Sequence, residues 1–145
     1  MPATETIDLS NVRPRPPVID RLPGINPAAG TALYPNVYVG RALYEDLHSP
    51  APDQYHIGLV VHEQEHINRI RARGVITWYF KYFASSEFRV AEELAASHAQ
   101  FRYLKAEGLS VNLEQKAKFL SSWAYLRPIG YEQALQKLTA LWEIT

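Results

Sequence analysis

Proline divides this chain of 145 residues into two parts that must fold differently. Nine of its ten prolines precede residue 53, and only Pro128 follows. Proline fixes φ, removes a backbone donor and interrupts any regular period. Between Met1 and Gly30, Pro14, Pro16, Pro17, Pro23 and Pro27 therefore exclude a long element, and residues 1–30 read as an extended, proline-rich N-terminal arm. Val18, Ile19, Leu22 and Ile25 give the arm apolar side chains with which to dock on the rest of the molecule. Such an arm can also lie across a cleft and block it, although most are simple tails. Residues 31–145 then form a single domain, long enough to bury a core of its own.

Beyond the arm, Leu33-Tyr34-Pro35-Asn36-Val37-Tyr38-Val39-Gly40 is β-branched and aromatic and closes on glycine. This predicts a short strand or hairpin, with Pro35 confining it to a sheet edge. Arg41 to Leu47 fits a helical turn. Asp53 is a good N-cap for a helix running to Arg73, where Gly74 supplies the stop. A short aromatic helix, Val75 to Phe83, is expected next. Ser85 or Ser86 then caps a long helix that ends near Glu107 and Gly108. Apolar spacing predicts two more helices, Asn112 to Leu126 (Leu113, Ala117, Leu120, Ala124) and Ile129 to Glu143 (Leu135, Leu138, Trp142). The fold class is mainly α (α+β), with about five helices and a short edge strand or hairpin ahead of the first long one.

Fifteen basic residues balance fifteen acidic ones. That balance lacks the basic footprint of a nucleic-acid or membrane-surface binder, so no nucleic acid and no membrane are expected as partners. The chain has no cysteine, which excludes disulfides, iron–sulfur clusters, thiol catalysis and cysteine-ligated zinc. Any metal must be held by His, Asp or Glu. Met1 to Leu9 lacks the basic-then-apolar pattern of a signal peptide, and apolar runs such as Trp78-Tyr79-Phe80 are too short to span a bilayer. The expectation is a soluble, cytoplasmic protein.

The helix expected after Asp53 carries His62-Glu63-Gln64-Glu65-His66. Residues four apart on an α-helix differ by about 40° in direction, so the two imidazoles project from one face. Flanking Leu59, Ile67 and Ile70 turn that face inward. Two nitrogens so placed can meet one zinc ion at about 2.0–2.1 Å each. Glu63, rotated about 100° from His62, is poorly placed to share the ion. It is better placed to take a proton from water activated by the metal, as general base of a metal-assisted hydrolysis. A third ligand is needed, and the long helix offers Glu87, Glu92 and Glu93. With Leu94, Val90, Ala91, His98 and Phe101 taken as the buried face, Glu93 lies on its rim and Glu92 almost opposite, in solvent. Glu87 falls in the first turn, where a carboxylate favours the helix dipole. Glu93 is the preferred ligand, with Glu92 and Glu87 as alternatives. His98 reads as a core histidine or a supporting donor, His56 as a first-turn residue. The aromatic segment Trp78 to Phe83 reads as core, with an unassigned tyrosine hydroxyl reaching the zinc-bound water as an alternative.

These residues resemble the gluzincin-type zinc metallopeptidases, in particular small members found in bacterial and phage genomes. The likeness runs over residues 33–105: the strand Asn36-Val37-Tyr38-Val39, the His-Glu-x-x-His helix, the aromatic Ile76 to Tyr82, and Phe88 to Ala96 with Glu93-Leu94-Ala95-Ala96 as the better-matching ligand element and Glu92-Glu93-Leu94-Ala95 also satisfying the pattern. Ser97 or Ala96 stands where many gluzincins have Asp or Tyr. The resemblance implies a peptide or protein substrate, pairing of that substrate with the edge strand, and hydrolysis of the peptide bond. Two other readings share the motif. One is a non-catalytic zinc-binding structural or interaction protein on the same scaffold. The other is a di-iron helix bundle, which needs a second Glu-x-x-His element; His98, preceded at that spacing by Ala95, does not complete one.

Overall fold

Caps anticipated from the sequence bound the helices that carry the candidate residues. The computed structural model describes residues 7–23, 26, 28–122, 126 and 128–145. Asp53 Oδ1 accepts the Tyr55 N–H at 2.9 Å and opens α3, Gln54–Arg73. Gly74 ends it at φ +89°, a conformation that side chains disfavour. The chain turns directly into α4, Val75–Ala84. Ser85 Oγ accepts the Phe88 N–H at 3.1 Å and opens α5, Ser86–Ala106. The buried Arg89 guanidinium donates to the Tyr82 and Phe83 carbonyls, at 2.5 and 3.2 Å, and so satisfies the C-terminal end of α4.

Ahead of these helices lie β1 (Val12–Pro14), α1 (Pro17–Asp20), β2 (Gly30–Leu33), β3 (Asn36–Val39) and α2 (Arg41–Leu47). After them come α6 (Leu113–Leu120) and α7 (Tyr131–Ile144). Seven helices and a three-stranded sheet among the described residues make the fold mainly α, as expected.

The sheet corrects one expectation. Its order is β1-β3-β2, so Asn36–Val39 is the central strand and not an edge. Pro35 precedes the strand in the turn after β2 and removes no ladder bond from it. Val37 and Val39 are accordingly fully buried. Part of the expected arm takes a place in this sheet. β1 pairs in parallel with β3, Val12 opposite Val37, and Val12 belongs to the core. Buried Arg15 fastens the following turn through a 2.8 Å ion pair with Asp20. Residues 1–6, 24, 25 and 27 of the expected arm, Ile25 included, lie outside the described residues.

Two cores meet on α5. One joins the sheet to α2, α3 and Trp78; the other joins Phe101 to Ala117 and Leu120 of α6 and to Ala134 and Leu138 of α7. α6 stops at Leu120, with Ser121 as C-cap, short of the expected Leu126. Ala124 of its expected stripe lies outside the described residues. Among the described residues no helix is long and apolar enough to cross a membrane.

Candidate metal centre

α3 and α5 pack side by side and bring His62, His66 and Glu93 together. All three are buried, with ligand atoms within 4.8 Å of one another. His62 Nε2 lies 3.3 Å from Glu93 Oε2, and His66 Nε2 lies 3.4 Å from Glu93 Oε1. Donor atoms about 2.0–2.1 Å from one ion, at the tetrahedral angle, stand about 3.3–3.4 Å apart. The cluster thus has the donor types of a His₂Glu site, with each imidazole at that separation from a Glu93 oxygen, and could hold a metal ion. Both Nδ1 atoms are buried without a hydrogen-bond partner among the described residues. The paired side of each ring is therefore the Nε2 side, the one turned to Glu93.

The charges are unevenly shared. Burial pulls His62 down to about 4, outweighing its hydrogen bond to Glu93. At His66 burial also pulls down, but the Glu93 charge and hydrogen bond, with Glu63 and Glu92, lift it to about 9. Burial pushes Glu93 up, yet the charge on His66 and the hydrogen bonds from both rings hold it well below the usual carboxylate range. Without a metal, the countercharge to Glu93 is a proton resting on His66.

Glu63 faces β2. Burial pushes its carboxyl up to about 7, with His66, Lys116 and the Ala32 backbone amide pulling the other way. The strand runs so close that a Cβ at Gly30 would stand 2.6 Å from Glu63 Cγ. Only glycine lets β2 lie against this side chain. The outward groups of β2 are engaged on α4 as well: Tyr79 Oη donates to the Ala32 carbonyl (3.1 Å) and accepts the Tyr34 N–H (3.2 Å). A substrate strand added at this edge would compete with Tyr79 for both groups.

The other candidate ligands stand elsewhere. Glu92, expected in solvent, is the most buried of the carboxylates, with 1% of its surface exposed. It accepts two hydrogen bonds from Arg69, at 2.6 and 2.8 Å, and one from Trp78 Nε1 at 2.9 Å. Glu87 is exposed. The buried face of α5 is not the apolar one read from the sequence: Arg89, Glu92, Glu93, Ala96, Ser97, Gln100, Phe101 and Leu104 are buried, while Ala91 is exposed. Glu93 stands at the centre of that face and not on its rim. Hydrophobic periodicity missed it because α5 buries polar groups whose partners lie on other helices. His98 lies outside the cluster, and His56 pairs with Asp46 at 2.7 Å near the surface.

Comparison with family models, curated proteins and solved structures finds no match to this chain. The reading of the site therefore rests on its own residues.

Two of those residues were not singled out in the sequence. Tyr82 Oη donates to Glu93 Oε1 at 2.7 Å, and its ring stacks on Trp78. The aromatic segment is thus only partly core: Trp78 is buried, whereas Phe80 and Phe83 are exposed. Lys116 of α6 reaches the same region, and burial pulls its ammonium down to about 8 while Glu93 and Glu63 oppose the shift. Its signal was faint: a lysine on the flank of the apolar stripe of Leu113, Ala117 and Leu120.

Proposed function

We propose that this chain is a zinc-dependent metallopeptidase, with His62, His66 and Glu93 as ligands and Glu63 as general base. The observation that carries the reading is a buried two-histidine, one-carboxylate cluster with its ligand atoms within 4.8 Å of one another, and a second carboxylate, on the helix of the histidines, packed against a strand. Bound there, zinc would supply Lewis acidity to polarise a peptide carbonyl and to acidify water. Glu63 does the proton work: its carboxylate accepts the proton lost by water and returns it to the departing amine. A carboxyl raised to about 7 suits both halves of that exchange near neutral pH. Gly30 and the Ala32 amide hold that carboxylate in place, and Tyr82 orients Glu93 through its hydrogen bond.

A second reading, a zinc-binding interaction module, draws on α4. Its Val75, Ile76, Phe80 and Phe83 are exposed and line a shallow depression of about 620 Å³ away from the cluster. One experiment separates the two. Zinc-loaded parent and Glu63→Gln are assayed on a quenched-fluorescent peptide library. The peptidase reading expects cleavage by the parent, a loss of at least about a hundredfold in the variant, and unchanged zinc content. Zinc in both proteins with cleavage by neither supports the interaction module.

A further inference from the structure

α6 turns a cation toward α5, the helix that carries Glu93. Lys116 Nζ donates a 2.6 Å hydrogen bond to Gln100 Oε1 and lies 5.7 Å from the centre of the Phe101 ring. Gln100 is buried on α5, two turns beyond Glu93 and only about 20° round the helix from it. The ammonium is thus turned inward along the face that carries the candidate ligand. His62, Glu63 and Glu93 all feel its charge. Near neutral pH it stays largely protonated, the two carboxylates opposing the effect of burial.

The partner it has is neutral. Among the described residues no carboxylate oxygen stands within 4.0 Å of Lys116 Nζ. Arg69, by contrast, sits on Glu92 at 2.6 Å. Even a half-buried charge without a counterion carries some of the cost of leaving water. An amide oxygen fixes the direction of the ammonium without cancelling its charge. A fixed cation, near two carboxylates but paired with neither, is ready for an anionic oxygen brought by something else.

We propose that Lys116, held by Gln100, binds an anionic oxygen of the substrate beside the His62–Glu63–His66–Glu93 cluster. This rests on the peptidase reading. Two substrate oxygens carry the required charge: the carbonyl oxygen as water adds to its carbon, and the carboxylate at a peptide's C-terminus. Attack converts the C=O π pair into a lone pair on oxygen, and Lys116 would stabilise that charge without taking up or giving up a proton.

The test uses the full zinc-loaded chain as parent, Lys116→Met and Lys116→Arg, with Lys116→Gln in place of the methionine variant should it not fold. Inorganic phosphate, the anionic probe, is titrated calorimetrically into each. Affinity should fall at least about tenfold in Lys116→Met and recover in part in Lys116→Arg, with zinc affinity within about threefold throughout. Equal phosphate affinity in parent and folded Lys116→Met, zinc in place, overturns this proposal alone. A parent that holds no zinc overturns it together with the peptidase reading. Matched peptides with free and amidated C-termini then distinguish the two oxygens. A loss in kcat/KM for both forms assigns the carbonyl oxygen, a loss for free acids only assigns the terminal carboxylate, and a loss for neither overturns the proposal.

Discussion

Two neighbouring carboxylates on α5, Glu92 and Glu93, are both withdrawn from solvent, yet they face opposite kinds of company. Glu92 meets permanent cations: Arg69 with two short hydrogen bonds, Arg73 at 3.8 Å, and the Trp78 N–H besides. Burial would push its carboxyl up, but these partners outweigh it and hold it below its ordinary value. Its charge is settled whatever else binds. Glu93 meets two imidazoles and a tyrosine hydroxyl, none permanently charged. Its countercharge is a proton that another Lewis acid can replace. Buried charge by itself therefore does not mark a site; the mark is a buried charge whose partners can exchange a proton for a metal ion.

The comparison can be broken by substitution. The largest effect on folding belongs to the settled side. Glu92→Gln keeps the volume but takes the anion from Arg69, and should cost about 2–3 kcal/mol in urea unfolding, discounted because Arg69 is partly exposed. Zinc affinity should be nearly unchanged. A metal loss with little destabilisation would reverse the roles assigned to the two residues.

Next comes Gly30→Ala, which touches neither carboxylate of the pair. The added methyl must displace Glu63 or β2, so peptide cleavage should fall by roughly tenfold to a hundredfold with zinc still bound. Undiminished cleavage would remove Glu63 from its assigned role as positioned base.

The smallest effect is graded. His66 stands at about 9 without metal, so at neutral pH its proton must leave as zinc binds. Protons compete with the metal below that value, and zinc affinity should rise about tenfold per pH unit between pH 6 and 8. Glu92, already charged throughout that range, adds no such slope. A pH-independent affinity, measured by competition with a chelator, would contradict the proton exchange.

What could be read from the chain follows the range of the interactions. Asp53, Gly74 and Ser85 act on backbone groups a few residues away, and the helix boundaries they imply are those observed. The spacing of His62 and His66 fixes a shared helix face without reference to any other element. Long-range pairing was hidden. β1 is too short and proline-bound to announce itself, and finds its partner only across a helix and a hairpin strand. The α5 face was misread because much of what it buries is polar, with partners such as Arg69, Tyr82 and Lys116 on other helices. Glu92 looked like a solvated carboxylate for the same reason: Arg69 and Trp78 are distant in sequence. Lys116 had only a faint local signal, a charge flanking an apolar stripe, and its inward direction depends on Gln100 and Phe101 of another helix.

The central claim is that Glu93, with His62 and His66, holds one zinc ion while its neighbour Glu92 holds only the fold. It is tested most directly by zinc analysis of parent, Glu92→Gln and Glu93→Gln, each loaded with zinc, passed through a weak chelator and checked for folding. The account predicts one zinc per chain in the parent and in Glu92→Gln, and none in Glu93→Gln. A folded Glu93→Gln that keeps its zinc, or a parent that never binds one, would contradict it.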